Sequence, residues 1–294
     1  MFFKFQSVRF KCALAVFIIL ISVSLFSLAD SRPLVKKIKQ IENELDARVG
    51  VSIYDAGNQK SWDYKGDLRF PLMSTFKSLA CAKLLADVDG GHISLQSSIV
   101  IKQSSLVTYS PVTQNYVDKE FTLYQACSAA MLMSDNTAAN IVLESINGPK
   151  GLTAFMRKIG DQVTSLDRIE PALNEALPGD LRDSTSPNAI NHSLHKLLFG
   201  NELSEQSKKQ LKQWMTANKV ADNLLRSVLP GSWQIADRSG AGGNGSRGIT
   251  AVVWQDKQAP FLISIYITQT DASFALRNKA IVEIGNEIFN TLQN

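Results

Sequence analysis

The sequence predicts a mixed α/β (α+β) fold in which an antiparallel sheet with flanking helices is interrupted by an all-helical insertion. Three observations lead there. Apolar stripes at helical spacing lie at both ends, β-prone runs sit just inside them, and a long middle holds helix-forming segments separated by polar loops.

The chain has 294 residues, 45% hydrophobic and 20% charged. That balance supports a full core and excludes a disordered or collagen-like chain. Lys4, Arg9 and Lys11 precede an uncharged run from Ala13 to Phe26, and Ser27-Leu28-Ala29 offers a small-x-small cleavage site. These are the parts of an export signal, and the run is short for a membrane span. Residues 1–29 are therefore expected to be removed. Removal takes three of the 31 basic residues and none of the 27 acidic ones, so the formal charge falls from +4 to +1. No basic excess is left for nucleic acid. The mature chain is expected to be a monomer with no stable membrane association, periplasmic or, without an outer membrane, secreted. Cys12 leaves with the signal, and Cys81 and Cys127 remain. Two cysteines in an oxidising compartment pair by default; two separately buried thiols are the alternative, because spacing does not give geometry.

Leu34, Ile38, Ile41 and Leu45 form one stripe of an amphipathic helix after Pro33. Val49 to Tyr54 and Gln59 to Tyr64 then read as strands around the turn at Ala56-Gly57-Asn58. From Pro71 to about Asn218 helix formers dominate, with no second convincing strand pair. Strand character returns at Trp233 to Ala236, Ile249 to Trp254 and Phe261 to Ile267, with turns at Gly242 to Gly248 and near Pro260. Ile281, Ile284, Ile288 and Leu292 mark a terminal helix packing beside the first. The expected domains are 30–66 with 217–294 as the α/β part and 67–216 as the helical part, with a ligand cleft between them.

The three histidines do not suggest a catalytic triad, since none lies near a Gly-x-Ser-x-Gly elbow, and no metal set accompanies His192 and His195. Ser74-Thr75-Phe76-Lys77 is more informative. Ser74 should start a helix, and Lys77, three residues on, shares its face, so an amine can do the work of an imidazole. A helix N-terminus also favours a developing oxyanion. The bland alternative is an N-cap serine and a surface lysine. Ser134-Asp135-Asn136 reads either as a helix end with an Asx cap or as a hydroxyl for proton shuttling beside an amide for a substrate carbonyl. Glu170 and Asn174, four apart in a polar loop whose neck Arg168 and Asp183 could close as an exposed pair, could hold one water between carboxylate and amide. Arg238-Ser239-Gly240-Ala241-Gly242 follows the strand ending at Ala236. Its small residues leave backbone open to a ligand, while Arg238, Ser239 and Arg247 suit a carboxylate.

In this order, Ser74-x-x-Lys77, Ser134-Asp135-Asn136, Glu170-x-x-x-Asn174 and Arg238-Ser239-Gly240 resemble the motif set of the class A serine β-lactamases. The likeness extends over nearly the whole mature chain. It implies that Ser74 is the acylated nucleophile, with the amides of Ser74 and Ala241 as oxyanion hole. It also implies that Lys77 and Ser134 relay protons to the lactam nitrogen, and that Glu170 with Asn174 activates the hydrolytic water. Either Glu170 or Lys77 would be the acylation base. Tyr109 resembles the family's cleft-wall aromatic, Asn136 its acyl-amide donor, and Arg238, Ser239 and Arg247 its carboxylate clamp. No metal or cofactor is implied; the partner is a small β-lactam. The usual Lys-Thr-Gly or Lys-Ser-Gly triad is Arg238-Ser239-Gly240 here, which resembles the carbenicillin-hydrolysing subgroup and suggests penicillins, including carboxypenicillins. Met73 and Gly242 stand where carbapenem-hydrolysing relatives carry cysteines, which points to a narrow profile. The competing readings are a penicillin-binding D,D-peptidase, which would lack a general base for acyl release, and a β-lactam sensor that stays acylated.

Overall fold

The computed structural model describes residues 1–2 and 31–293; apart from its first two residues, the expected export signal lies outside them. Helix α1 (Arg32–Leu45) leads into strands β1 (Arg48–Asp55) and β2 (Lys60–Tyr64). Near the other end come β7 (Gln234–Ala241), β8 (Arg247–Trp254), β9 (Phe261–Thr268) and helix α8 (Phe274–Gln293). They form one five-stranded sheet in the order β2-β1-β9-β8-β7, antiparallel throughout.

Alternation along the strands decides which side chain faces which layer. Val49, Val51 and Ile53 of β1 and Ile263, Ile265 and Ile267 of β9 join Leu34, Ile38 and Ile41 of α1 and Ile281, Ile284 and Ile288 of α8 in one apolar cluster. The stripes read from both ends of the sequence thus meet across the same sheet face. The opposite face contributes Tyr54, Ala236, Val252, Leu262 and Tyr266 to the second, larger cluster. Helix α6 (Pro187–Phe199) covers that face, and its buried Asn191 donates to the Ser52 and Leu262 carbonyls at 3.1 and 3.2 Å. Those are buried polar atoms that would otherwise be costly.

The larger cluster surrounds α2 (Phe76–Asp89), whose residues from Phe76 to Ala82 are all buried. A helix apolar on every side must be enclosed by others. Its neighbours are α3 (Leu123–Met133), α4 (Asn136–Ser145), α5 (Gly148–Lys158) and α7 (Glu205–Thr216). Cys81 on α2 and Cys127 on α3 form a disulfide with a Cα–Cα distance of 5.7 Å.

Three expectations change. The middle of the chain contains two short strand pairs, β3 (Phe70–Pro71) with β6 (Ser184–Thr185) and β4 (Ser98–Val100) with β5 (Glu120–Thr122). Strands of two or three residues, one of them fully exposed, carry too little alternation to be read. Strand β7 does not stop at Ala236 but runs to Ala241, so Arg238, Ser239 and Gly240 lie inside the sheet, Gly240 opposite Gly248. Cross-strand pairing there overrides the low strand preference of small residues. Finally, Ser74 sits in a 3-10 turn (Met73–Thr75) just ahead of α2.

The disulfide closes a separation of 46 residues, for which chain entropy gives about 4 kcal/mol as an upper figure. Replacing both cysteines by serine should leave the far-ultraviolet dichroism unchanged and lower the unfolding free energy in urea by about 2–4 kcal/mol. An unchanged urea midpoint would show that the bridge adds no stability.

Candidate active site

Ser74 is delivered by an unusual backbone. Met73, fully buried, has φ +49°, a left-handed conformation that costs a non-glycine residue about 1–3 kcal/mol and persists only where packing enforces it. Packing from β7 does so here. A Cβ on Gly240 would come within 2.8 Å of both the Met73 Cβ and the Ser74 amide nitrogen. Only a glycine lets the strand lie this close to the serine.

Lys77, one helical turn on, is completely buried and gathers the site. Its Nζ donates to Ser74 Oγ at 2.9 Å, to the Ser134 carbonyl at 2.9 Å, to Ser134 Oγ at 3.2 Å and to Asn136 Oδ1 at 2.7 Å. It is also 3.2 Å from Glu170 Oε1, with both side chains wholly out of solvent. Burial pushes the Lys77 amine down to about 8, against the opposing pull of Glu170 and with help from the Arg238 charge. The group is still mostly an ammonium at neutral pH. Stability that depends on this titration rises with pH between about 8 and the ordinary lysine value, where only the unfolded chain holds the proton.

Ser134 and Asn136 flank the α3–α4 junction. Ser134 ends α3 with φ +60°, and Asp135 caps α4 by accepting from the Ala138 amide at 2.8 Å. The plain capping role and the functional one therefore coexist. Ser134 Oγ donates to Ser74 Oγ at 3.1 Å. Asn136 Nδ2 donates to the Thr108 carbonyl at 2.9 Å and its amide to the Tyr109 carbonyl at 2.9 Å. These bonds hold the half-exposed Tyr109 ring beside the site. Buried Asp135 supports the same loop through the amides of Val112 and Thr113, both at 2.9 Å.

Glu170 and Asn174 do not merely flank a water: Asn174 Nδ2 donates directly to Glu170 Oε2 at 2.5 Å. Asn174 Oδ1 is left as a buried acceptor with no donor from the protein, and Glu170 Oε1 has only the Lys77 ammonium beside it. The loop neck is also more enclosed than the sequence suggested. Arg168 Nε meets Asp183 at 2.6 Å, but Asp183 is almost fully buried and accepts the Asp167 and Arg168 amides as well. The far side of the loop rests on the β7–β8 turn, where the Gly243 amide donates to the Asn174 carbonyl at 2.8 Å. A Cβ on Gly243 would lie 2.4 Å from the Glu175 carbonyl oxygen.

Arg238 is fully buried. Its Nη2 donates to Ser134 Oγ, while Nε and Nη1 have no acceptor. Burial holds the guanidinium down at about 10, still charged at neutral pH. Arg247, on the adjacent strand, donates to the Gly240 carbonyl and to Asn278 Oδ1, both at 2.8 Å. It braces the strand edge, so it is less free for a substrate carboxylate than the sequence implied. Ser239, whose hydroxyl donates to the Val220 carbonyl at 3.4 Å, and Ala241 flank Gly240 on β7.

A family model described as the β-lactamase enzyme family matches residues 33–292. This chain belongs to the class A β-lactamase family. β-Lactamase CARB-3 of Pseudomonas aeruginosa is 55% identical to it over 95% of this chain and 97% of its own length. β-Lactamase AER-1 of Aeromonas hydrophila is 50% identical over 87% and 84%. Among solved structures, the chromosome-encoded β-lactamase of Vibrio parahaemolyticus superposes with a TM-score of 0.87 at 51% identity, covering 89% of this chain and 99% of its own. An ancestral class A β-lactamase gives 0.85 at 43%, covering 87% and 99%. The family resemblance read from the motifs is therefore borne out, and the serine-enzyme fold with it.

One β-lactamase residue escaped the sequence reading. Asn140 on α4 grips the Glu170 backbone from both sides, its Oδ1 accepting the Glu170 amide and its Nδ2 donating to the Glu170 carbonyl, each at 2.9 Å. The only signal was its place four residues after Asn136, on the same helix face. Glu170→Gln should remove the carboxylate that opposes desolvation of Lys77, so the Lys77 titration should move below about 8. Side-chain NMR of labelled lysine measures this, and an unchanged or raised midpoint would mean that the ion pair does not support the ammonium.

Proposed function

We propose that Ser74 attacks the carbonyl of a β-lactam to give an acyl-enzyme, which Glu170 hydrolyses through a water. The observation that carries this is the buried Lys77 ammonium in contact with the Ser74 hydroxyl, Ser134 and the Glu170 carboxylate together. Ser74 Oγ and Glu170 Oε1 each touch that one nitrogen, so a single water can reach both. That water would donate to Glu170 Oε1 and to Asn174 Oδ1, which has no donor from the protein.

Because Lys77 is charged at neutral pH, it donates to Ser74 Oγ and cannot take the proton. The carboxylate takes it through the water. When Ser74 adds, the carbonyl oxygen becomes an anion between the amides of Ser74 and Ala241 and returns to a carbonyl as the C–N bond breaks; losing one such donor typically costs about 10²–10³ in kcat. Ser134, held by Lys77 and Arg238, passes its proton to the departing lactam nitrogen and is reprotonated from Lys77. The proton held by Glu170 passes to the now neutral Lys77, 3.2 Å away, which restores both the carboxylate and the ammonium. The carboxylate then deprotonates the water that attacks the ester, and that proton goes to Ser74 Oγ as its bond to the acyl carbon breaks. A D,D-peptidase or a lasting sensor adduct fits poorly with a carboxylate so placed.

The ring opens in a cleft between the sheet part (30–66, 217–294) and the helical part (67–216), with Tyr109 as a wall and Asn136 toward the acyl amide. The protein acts as a periplasmic monomer. Carboxypenicillins belong to its substrates, supported by the likeness to CARB-3 and by the two unpartnered guanidinium nitrogens of Arg238.

Intact-protein mass spectrometry with benzylpenicillin tests the two steps separately. Glu170→Ala should form the acyl adduct slowly, because the acceptor of the Ser74 proton is gone, and then hold it, because the base for the attacking water is gone. Ser74→Ala should form none; adduct on the latter, or wild-type turnover by either, contradicts the scheme. Arg238→Lys removes the planar fork. It should lower kcat/KM for carbenicillin about tenfold more than for benzylpenicillin, whereas equal losses would tie the arginine to the proton relay alone.

A further inference from the structure

Behind the loop that carries Glu170 lies a second cavity of about 410 Å³, walled by the start of β1, the end of β9 and loop residues 176–181. Arg48 and Arg69 line it. Arg48 lies 4.1 Å over the Phe70 ring, and its buried Nε has no acceptor. The carboxylate that acts on its charge, Glu42, is already committed to Lys65 at 2.6 Å, Tyr64 at 2.7 Å and the Val49 amide at 2.8 Å. Arg69 bonds only neutral acceptors: Ser184, Ser165 and the Leu181 carbonyl. Asp180 also lines the cavity but is tied to Arg182 at 2.7 Å and stands 3.8 Å from Arg168. The rim is apolar, with Leu68, Leu177 and Leu181 all about half exposed.

We propose that this cavity binds a small amphipathic monocarboxylate, its carboxylate on Arg48 and its apolar body against Phe70 and the leucine rim. Arg48, whose buried Nε lacks an acceptor, in a cavity lined by Phe70 and three leucines asks for one anionic group on an apolar stem, whereas the charge of Arg69 is already opposed by Asp161 and Asp167. A more highly charged anion would leave the leucines uncovered, and a neutral apolar ligand would leave the guanidinium without an acceptor. Burial lowers the affinity of both arginines for their protons, so an added anion would relieve that desolvation. The site is separate from Ser74, but one of its walls belongs to the loop that holds Glu170.

Octanoate is a suitable probe, titrated calorimetrically into the protein with octanamide as its uncharged counterpart. Saturable one-to-one binding is expected for octanoate, with octanamide weaker by roughly tenfold or more, the usual worth of a charge-assisted contact. Arg48→Gln should weaken octanoate to a similar degree. Leu177→Asp, which places a carboxylate on the exposed rim, should do the same and serves if the first variant does not fold. Octanoate should also leave the KM for benzylpenicillin unchanged. No saturable binding, wild-type affinity in either folded variant, equal binding of the amide, or competition with benzylpenicillin would overturn the proposal.

Discussion

A lysine ammonium without solvent is the constraint on which the rest of the site depends. Burying a charge costs several kcal/mol unless partners replace water, and around Lys77 they are supplied by three separate parts of the chain. The α3–α4 junction gives two side-chain oxygens and a carbonyl, the loop gives Glu170, and the 3-10 turn gives Ser74. Those partners are also the groups that chemistry requires. Satisfying the ammonium therefore brings into contact the groups proposed as nucleophile, proton donor and base, and breaking one partner leaves an unpaired buried charge.

Rigidity is supplied from outside this cluster. Asn140 fixes the Glu170 backbone to α4, Arg168 and Asp183 close the loop, and the β7–β8 turn supports the Asn174 carbonyl. Glycines make the last contact possible, since side chains at Gly240, Gly242 and Gly243 would strike Ser74, Asn174 and Glu175 backbone atoms. The sheet edge thus serves as a template against which both the serine turn and the hydrolytic loop are set. Errors of about 1 Å in such placement are worth two orders of magnitude in rate.

Much of this was legible in the sequence. The α1 and α8 stripes, the sheet strands and the motif set were visible because periodicity and residue type report burial and chemistry directly. What escaped depends on contacts between distant segments. The extension of β7 to Ala241 is decided by its pairing with β8, because Arg-Ser-Gly-Ala by itself resembles a turn. The late start of α2 follows from the left-handed Met73, imposed by β7 packing. Likewise Asn140 looks like any helix-surface amide until the loop is folded onto it, and Arg247 looks like an open cation until Asn278 is beside it.

In the proposed scheme Lys77 is the charged donor to Ser74 rather than its base, with the Glu170 side chain beside it. Neutron diffraction from deuterium-exchanged crystals of the uncomplexed protein at pH 7 addresses this directly, since it locates the protons in question. Three deuterons on Lys77 Nζ, one of them pointing at Ser74 Oγ, and none on Glu170 are expected. Two deuterons on Nζ, with the Ser74 deuteron pointing at the lysine, would contradict the account.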